Sequence, residues 1–468
     1  GHVDGDGRTD LVVLHGGSEV GVMLQQQDGQ LGAERSHRLP YATRYPSTGM
    51  VLADFTGDRR LDVAVANYIH GLDVVRNVTS GVAQPATLAG TYHPVPPQRV
   101  LDTRTGLGAP AARLGSGGSI SLQITGAGGI PASGVSAVVL NVTVTEPTAV
   151  SFLTASPAGA PRPVASNLNY IPGQTVPNLV SVKVGQGGKI DLFNSAGTAH
   201  VLADVAGWYG TDSSAPDGRY TALTPARVLD TRSGVGAPTA KLGPASALGL
   251  QVTGRGGVPA SGVSAIVLNV TATDPTAVSF LTAWPSGDAR PVASNLNYVP
   301  GQTVANLVVV KVGAGGRIDL FNNAGATNVV ADVAGWYGDS APSGGGAFTP
   351  LTPARILDTR AAVGAPATRL GAAGTLGLQV AGRGGVPAAG VSAVVLNVTV
   401  TEPSATSFLT AWPNGEVRPL ASNLNYGPGQ TVPNLVVVKV GASGKVDLFN
   451  NAGATHVVAD VAGWYGPG

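Results

Sequence analysis

The stretch SAVVLNVTVT, residues 136–145, alternates in hydrophobic character with a period of two. Val138, Leu140, Val142 and Val144 occupy every second position, and Asn and Thr hold most of the positions between them. Successive side chains of a β-strand point to opposite faces of the sheet. The stretch therefore predicts a strand with one aliphatic face and one face made largely of Asn and Thr.

Near-copies of this strand occur twice more in the chain. Asn141, Asn269 and Asn397 are separated by 128 residues at each step, and the same offset relates the three LDTR motifs and the three closing DVAGWYG motifs. A period of 128 residues is the size of a domain, whereas the repeats of a solenoid are much shorter. We therefore predict a distinct N-terminal segment followed by three tandem homologous domains, with the bounds 1–88, 89–212, 213–340 and 341–468.

Each copy reads as an all-β domain. Short segments rich in β-branched residues alternate with turn signals such as PGQT and GAGG, and the chain contains 67 Gly and 34 Pro. This pattern predicts three antiparallel β-sandwiches of jelly-roll or immunoglobulin-like type, preceded by partial β-propeller blades. The Ser/Pro/Gly-rich stretches at 211–218 and 339–346 predict linkers that let the domains follow one another like beads along an arm.

Composition narrows the possible functions. The net charge of +1 gives no electrostatic footprint for nucleic acid, and no apolar run approaches the roughly 20 residues of a membrane span. The absence of cysteine excludes disulfides, thiol catalysis and cysteine-held metals. The chain opens on Gly1 without a Met or a signal peptide, so we expect a processed or partial product. Few lysines and charges with abundant Gly, Ala and Thr are typical of a secreted actinobacterial protein.

The LDTR motif places an acid, a hydroxyl and a base side by side. No nucleophile or histidine recurs beside it in all three copies, so catalysis is disfavoured and we predict that the protein is not an enzyme. A buried charge is tolerated only when it is paired, which favours structural ion pairs that pin the first strand of each domain. Ligand contact through the arginine fork remains a second possibility. The residues predicted to form these pairs are Asp102, Arg104, Asp204, Asp230, Arg232, Asp332, Asp358, Arg360 and Asp460.

A second set of recurring residues suggests saccharide contact. Neutral amides beside an aromatic ring suit sugars, since amides meet hydroxyls and the ring meets C–H faces; the alternative is that they brace a loop. Trp284 and Trp412 lie in AWPSG and AWPNG turns, where they either stack on a ligand at a loop tip or cap the sandwich, while Ser156 replaces them in the first copy. The remaining candidates are Asn167, Asn169, Tyr170, Asn295, Asn297, Tyr298, Asn423, Asn425 and Tyr426.

The N-terminal segment carries two oxygen-rich loops, HVDGDGRTD and DFTGDRRLD. Oxygen ligands at positions 1, 3, 5, 7 and 9 of a tight loop are what Ca²⁺ requires. In the second loop these positions are held by Asp54, Thr56, Asp58, the carbonyl of Arg60, and Asp62. In the first they are held by Asp4, Asp6, Arg8 and Asp10, with His2, a poor Ca²⁺ ligand, at position 1. We predict structural Ca²⁺ in these loops.

Each loop is followed by an aliphatic strand, and the two motifs resemble the FG-GAP (integrin-type) repeats of β-propellers. That resemblance implies one small four-stranded blade per motif, with the Ca²⁺ loop bracing a turn. The set LDTR…LNVT…DVAGWYG resembles a module of secreted actinobacterial proteins. We expect a secreted, multivalent adhesion protein that recognises extracellular glycan or another cell-surface component and does not bind nucleic acid or insert into a membrane. The alternatives are a stalk, fibre subunit or scaffold that binds other subunits of an extracellular assembly, and a lectin-like targeting arm of a secreted enzyme or toxin particle.

Overall fold

The computed structural model describes residues 11–15, 19–26, 30–38, 50–53, 62–67, 71–75, 90–210, 218–338 and 345–467. The chain divides into two compact units, Gly1–Leu88 and Ala89–Gly468. Both units are built from β-strands, and the helical structure among the described residues is limited to the 3₁₀ turns Gln186–Gly188 and Ala314–Gly316. The predicted all-β fold class is confirmed.

The first unit contains two antiparallel sheets. The strands among the described residues are β1 Leu11–His15, β2 Glu19–Met23, β3 Arg35–Arg38, β4 Met50–Ala53, β5 Asp62–Asn67 and β6 Gly71–Val75. They form two three-stranded sheets in the orders β1-β2-β3 and β4-β5-β6.

The second unit begins with an eight-stranded jelly roll. Its strands are β7 Tyr92–Asp102, β8 Ser119–Gln123, β9 Val135–Thr145, β10 Ser151–Pro157, β11 Leu168–Tyr170, β12 Val176–Lys183, β13 Lys189–Asn194 and β14 His200–Gly210. They pair in nested fashion, β7 with β14, β8 with β13, β9 with β12 and β10 with β11, as in a long hairpin that has been rolled up. Cross-pairing of β14 with β9 and of β13 with β10 gives two four-stranded sheets, β12-β9-β14-β7 and β11-β10-β13-β8.

The same topology is repeated twice. The second jelly roll consists of β15 Arg219–Asp230, β16 Ser246–Gln251, β17 Val263–Thr273, β18 Ser279–Pro285, β19 Leu296–Tyr298, β20 Val304–Lys311, β21 Arg317–Asn322 and β22 Asn328–Gly338. The third consists of β23 Ala347–Asp358, β24 Gly374–Gln379, β25 Ala393–Thr401, β26 Ser407–Pro413, β27 Leu424–Tyr426, β28 Val432–Lys439, β29 Lys445–Asn450 and β30 His456–Gly466. We call these three jelly rolls repeats 1, 2 and 3.

The aliphatic face predicted for residues 136–145 lies in the core of repeat 1. Val138, Leu140, Val142 and Val144 are fully buried between the two sheets, and Trp208 of the closing motif packs against the same core. Repeats 2 and 3 have equivalent cores, which include Trp336 and Trp464. The closing tryptophans therefore serve domain packing, as their position on the last strand predicts.

The opposite face of the same strand is also buried, and this overturns the beads-on-an-arm arrangement. Ala137 and Val139 belong to a hydrophobic cluster that contains residues of all three repeats. Their counterparts Ala265 and Val267 of repeat 2, and Ala393 and Val395 of repeat 3, lie in the same cluster. The β12-β9-β14-β7 sheet is thus covered on both faces: its own second sheet covers one face, and the other two repeats cover the other. Such double burial suits the first half of β9, where residues on both faces of the strand are apolar.

Tyrosine side chains lie at the centre of this cluster. The hydroxyl groups of Tyr209, Tyr337 and Tyr465 form a closed ring of three hydrogen bonds, with O···O distances of 2.7, 2.6 and 2.6 Å. All three side chains are at most 2% exposed. Each comes from the WYG end of a repeat, so the ring marks a pseudo-threefold axis on which the three jelly rolls meet.

Backbone and amide hydrogen bonds close the same threefold arrangement. The Asn178, Asn306 and Asn434 amide oxygens accept backbone N–H bonds from Leu435, Leu179 and Leu307 respectively, each in another repeat, at 3.1–3.3 Å. Each repeat accepts one such bond and donates another, so the cycle is complete. The buried amides of Asn178, Asn306 and Asn434 are thus paired, as burial of a polar group requires.

Candidate interdomain binding site

The LDTR motifs form compact ion-pair networks. Arg104 donates from Nε and Nη2 to the two carboxylate oxygens of Asp102, at 2.9 and 2.7 Å. The side chain of Asp102 is 5% exposed, whereas that of Arg104 is 43% exposed. The triplets of repeats 2 and 3 have the same geometry between Asp230 and Arg232 and between Asp358 and Arg360.

A second arginine, which the sequence reasoning missed, links this pair to the closing strand. Arg99 donates to both carboxylate oxygens of Asp204 at 2.8 and 3.0 Å, and to Asp102 at 3.3 Å. Asp204 therefore pairs with Arg99 instead of the triplet arginine. Arg99 is the R of QRVLDTR and recurs at the same place in every repeat, so its recurrence was the available signal. The equivalent pairs are Arg227 with Asp332 and Arg355 with Asp460.

The pKa values of the two carboxyl groups in each network are shifted in opposite directions. Hydrogen bonds from the Arg104 side chain lower the pKa of Asp102 to about 2. In the same way, Arg232 lowers the pKa of Asp230 and Arg360 lowers the pKa of Asp358 to about 2. Burial raises the pKa of Asp204, although Arg99 opposes that effect. Each network therefore holds two carboxyl groups of unequal acidity within one small volume.

This asymmetry predicts a stability loss in acid. Asp102, Asp230 and Asp358 have folded-state pKa values below the unfolded value of about 3.9, so their stabilising contribution is present above that pH and is lost as the pH falls towards 2. We expect the urea midpoint of the jelly-roll unit to fall between pH 4 and pH 2. In the triple variant that replaces Arg104, Arg232 and Arg360 by Gln, the folded-state pKa values lie closer to the unfolded value, so the total fall should be smaller and should end at a higher pH. Equal slopes in the two proteins would contradict this assignment.

The amide and tyrosine candidates mostly brace loops. Asn295 is buried and accepts a hydrogen bond from the Ala283 backbone at 2.7 Å, and Tyr298 donates to buried Asn322 at 2.6 Å. Asn297 is half-buried, and its amide donates to Ser294 Oγ at 3.2 Å. The same pattern holds in the other repeats for Asn167, Asn169, Tyr170, Asn423, Asn425 and Tyr426.

The two tryptophans do not lie at exposed loop tips. Trp284 is 6% exposed and Trp412 is 5% exposed, because each lies in a strand and is covered. Their indole N–H groups donate to the carbonyls of Asp288 and Glu416 at 3.1 and 3.0 Å. Neither ring offers an open stacking face; each instead fixes the loop that follows it.

A cavity of about 330 Å³ lies between repeats 1 and 2. This volume is within the range of about 300–1,000 Å³ that is common for small-ligand sites. Repeat 1 contributes the ion-pair network through Arg99 and Arg104, together with threonines of its polar strand face, and repeat 2 contributes the loop that contains Arg290 and Asn297. We call this cavity, and the surfaces at the other two junctions that carry the equivalent residues, the interdomain grooves.

Arg290 enters the groove without an anionic partner. Its guanidinium carbon lies 3.6 Å from the centroid of the Phe321 ring, and it makes no ion pair or hydrogen bond to the described residues. A guanidinium that lies over a ring can still direct its N–H groups towards a ligand. Arg162 over Phe193 and Arg418 over Phe449 repeat the contact at 3.7 and 3.5 Å.

The residues of the groove meet in the same way at all three junctions. The Asn141 amide of repeat 1 donates to the Ser294 carbonyl of repeat 2 at 2.7 Å, beside the cavity. Asn269 to Ser422 and Asn397 to Ser166 are the equivalent bonds at the other two junctions, at 2.6 and 2.7 Å. The Asn of each LNVT motif is therefore an interdomain contact that fixes the groove.

Comparison with known proteins separates the two units. Residues 2–65 match the family described as an FG-GAP-like repeat. The FG-GAP resemblance of the N-terminal segment is thereby supported, and the match covers only that part of the chain. No curated protein matches the chain.

Two solved structures illustrate the structural comparison. One is described as "The Triple Jelly Roll Fold and Turret Assembly in an Archaeal Virus", with 9% identity over 81% of this chain and 90% of that chain, and a TM-score of 0.17. The other, from Sulfolobus Turreted Icosahedral Virus, has 10% identity over 81% of this chain and 91% of that chain, and a TM-score of 0.18. At such scores neither structure informs function.

The predicted Ca²⁺ loops belong to the Gly1–Leu88 unit. Residues 54–61 lie between β4 and β5 in the sequence, and Asp62 opens β5. Several carboxylates in one short stretch of sequence suit a hard cation. The other predicted ligands, at positions 4–10 and 54–60, lie outside the described residues.

Removal of Ca²⁺ is therefore expected to act on one unit alone. In a calorimetric scan of the full chain, chelation should lower the melting temperature of the Gly1–Leu88 unit and leave the jelly-roll transition unchanged. Replacing Asp54 and Asp58 by Asn should abolish the response to Ca²⁺. A shift of the jelly-roll transition, or no shift at all, would contradict the prediction.

Proposed function

We propose that this chain is a non-enzymatic extracellular binding protein that attaches to glycan through its three interdomain grooves. The proposal rests chiefly on the cavity between repeats 1 and 2, where Arg104 and Arg290, threonine hydroxyls and the amide of Asn297 come together. The equivalent residues recur at the other two junctions, which are closed by the same interdomain hydrogen bond. Hydroxyl-rich ligands are recognised by convergent groups of this kind at the edge of an apolar surface. Three equivalent sites on one chain can raise avidity by about 10²–10⁴-fold when their spacing suits the target.

The groove location changes which side chains should matter. Trp284 and Trp412 are covered, so they are expected to contribute through loop support and not through stacking. Asn297 lines the groove, as do Thr143 and Thr145 from the neighbouring repeat. Ligand contact thus requires two repeats together, which an isolated jelly roll would not provide.

A glycan array probed with the full chain tests the proposal. Replacing Thr175, Thr303 and Thr431 by Trp should fill the groove mouths and abolish binding. The matched control replaces Ala132, Ala260 and Ala388 by Trp in the exposed loops that precede β9, β17 and β25, at the end of these strands opposite the groove threonines, and should bind like the wild type. A blank array, or equal binding by both variants, would reject the proposal.

A scaffold role is the second candidate, and the closed threefold arrangement favours it. A buried axis with a complete hydrogen-bond cycle makes a rigid hub to which an FG-GAP unit is joined. Electron micrographs would distinguish the two candidates: filaments or multisubunit particles together with a blank array would support the scaffold.

A further inference from the structure

We infer that each interdomain groove recognises an oxyanion on an acidic saccharide, with Arg290 and its counterparts Arg162 and Arg418 as the main anion contacts. This inference rests on the proposed glycan-binding function and specifies the ligand class. It starts from the pairing of the arginines in the groove. Arg99 and Arg104 are occupied by Asp204 and Asp102, whereas Arg290 has no carboxylate partner among the described residues.

The pose of Arg290 is prepared for such a ligand. Stacking on Phe321 fixes the guanidinium plane, so less side-chain entropy is lost when its N–H edge meets an oxyanion. A planar guanidinium matches two oxygens of a carboxylate or sulfate with parallel hydrogen bonds. The Nη1 of Arg104, which makes no hydrogen bond within its own ion pair, adds a second cationic edge across the groove.

The groove floor and rim suit the sugar that bears the anion. Thr143 and Thr145 of repeat 1 line the cavity, so their hydroxyl groups can meet the hydroxyls of a sugar. On the rim, Val164, Val292 and Leu420 are 81%, 86% and 82% exposed, each two residues after the stacked arginine. They give an apolar surface for the C–H face of a sugar ring.

Charge complementarity distinguishes this ligand from a neutral glycan. Arg99, Arg104 and Arg290 face the cavity, while Asp102 and Asp204 are the neutralising carboxylates of the network, which leaves one positive charge in excess. The whole chain is almost neutral at +1, so this local excess is not a general property of its surface. Binding should therefore weaken as salt is added.

The test measures binding of the full chain to immobilised polygalacturonate, dextran sulfate and uncharged dextran, with polyglutamate as an anion without sugar. The wild type should bind the acidic saccharides, with a preference between carboxylate and sulfate that identifies the oxyanion. The triple variant that replaces Arg162, Arg290 and Arg418 by Gln should bind at least about tenfold more weakly. Replacement of the same three residues by Lys should restore little, since Lys lacks the planar fork.

The matched control removes an equal charge at exposed sites, with Gln at Arg255, Lys311 and Arg383, and should bind like the wild type. Equal binding to dextran would overturn the anion inference and leave glycan binding intact. Binding to polyglutamate as strong as to the acidic saccharides would also overturn the inference, because the chain would then recognise charge alone. The same conclusion would follow if the control variant lost as much affinity as the triple arginine variant. Binding to none of the saccharides would reject the proposed function itself.

Discussion

Truncation of Tyr465 to Ala is expected to lower the free energy of unfolding of the jelly-roll unit by about 3–5 kcal/mol, the range for large aromatic side chains lost from a core. The ring is 1% exposed and contacts aromatic rings of the two other repeats, with its centroid 4.4 Å from that of Tyr220 in repeat 2 and 6.4 Å from that of Tyr209 in repeat 1. The cavity would open on the pseudo-threefold axis, where three sheets must move together to fill it. The measurement is urea unfolding followed by tryptophan fluorescence.

The hydroxyl ring provides the matched control. Tyr465→Phe retains the aromatic ring but removes one hydroxyl from the closed cycle of hydrogen bonds. The buried hydroxyls of Tyr209 and Tyr337 then each lack one partner, which should lower the free energy of unfolding by about 1–3 kcal/mol. Replacing all three tyrosines by Phe removes every hydroxyl at once, so no partner is stranded. The triple variant should therefore lose less than three times the single loss. Additive losses would show that the hydroxyls contribute independently and not as a ring.

The strands and the repeats could be predicted from the sequence because both are local signals. A period of two predicts a strand, and a constant offset of 128 residues predicts equivalent domains. Their closure around an axis could not be predicted, because Asn141 and Val139 look like a solvent face until their partners in other repeats are known. Short linkers allow a closed arrangement as readily as an open one.

One glycine shows how a long-range contact hides in a motif. The Gly of VAGWYG, Gly335 in repeat 2, has no room for a side chain: a Cβ atom there would lie 2.3 Å from the Tyr220 hydroxyl oxygen. That tyrosine lies more than 100 residues away in the sequence, so the motif read alone indicates only a tight strand. The same limit applies to the groove, because Arg104 and Arg290 belong to different repeats and only the threefold packing brings them together.

The sequence left two positions open for Trp284, a loop tip or a cap on the sandwich, and the structure agrees with the cap. A Trp-Pro-x-Gly sequence resembles an exposed turn, but the strand β18 extends through Pro285 and the indole is covered. Its N–H bond to the Asp288 carbonyl holds the loop that contains Arg290. The unpaired arginine, and not the tryptophan, is thus the residue that the loop presents to the groove.

Replacement of Arg227 by Met is expected to lower the free energy of unfolding by about 3–5 kcal/mol, the range for breaking a buried ion pair by removing one partner. Arg227 donates to both oxygens of Asp332 at 2.9 and 3.1 Å and to Asp230 at 3.1 Å. The side chain of Asp332 is 2% exposed, so without Arg227 its charge would remain buried and uncompensated. The double variant Arg227→Met with Asp332→Asn removes that charge and should recover part of the loss.

The matched control is Arg232→Met, which takes a 46% exposed arginine from Asp230 while Arg227 still pairs with that carboxylate. Its loss should be clearly smaller, because exposed pairs are screened by water. Acidification supplies a second test. Burial already raises the pKa of Asp332, and loss of Arg227 raises it further, so the penalty of Arg227→Met is present at high pH and shrinks as the pH falls through that pKa. Urea unfolding of both variants between pH 8 and pH 5 measures this difference. Equal losses for the two arginines, or a penalty for Arg227→Met that does not change with pH, would show that the network holds the first strand by packing alone.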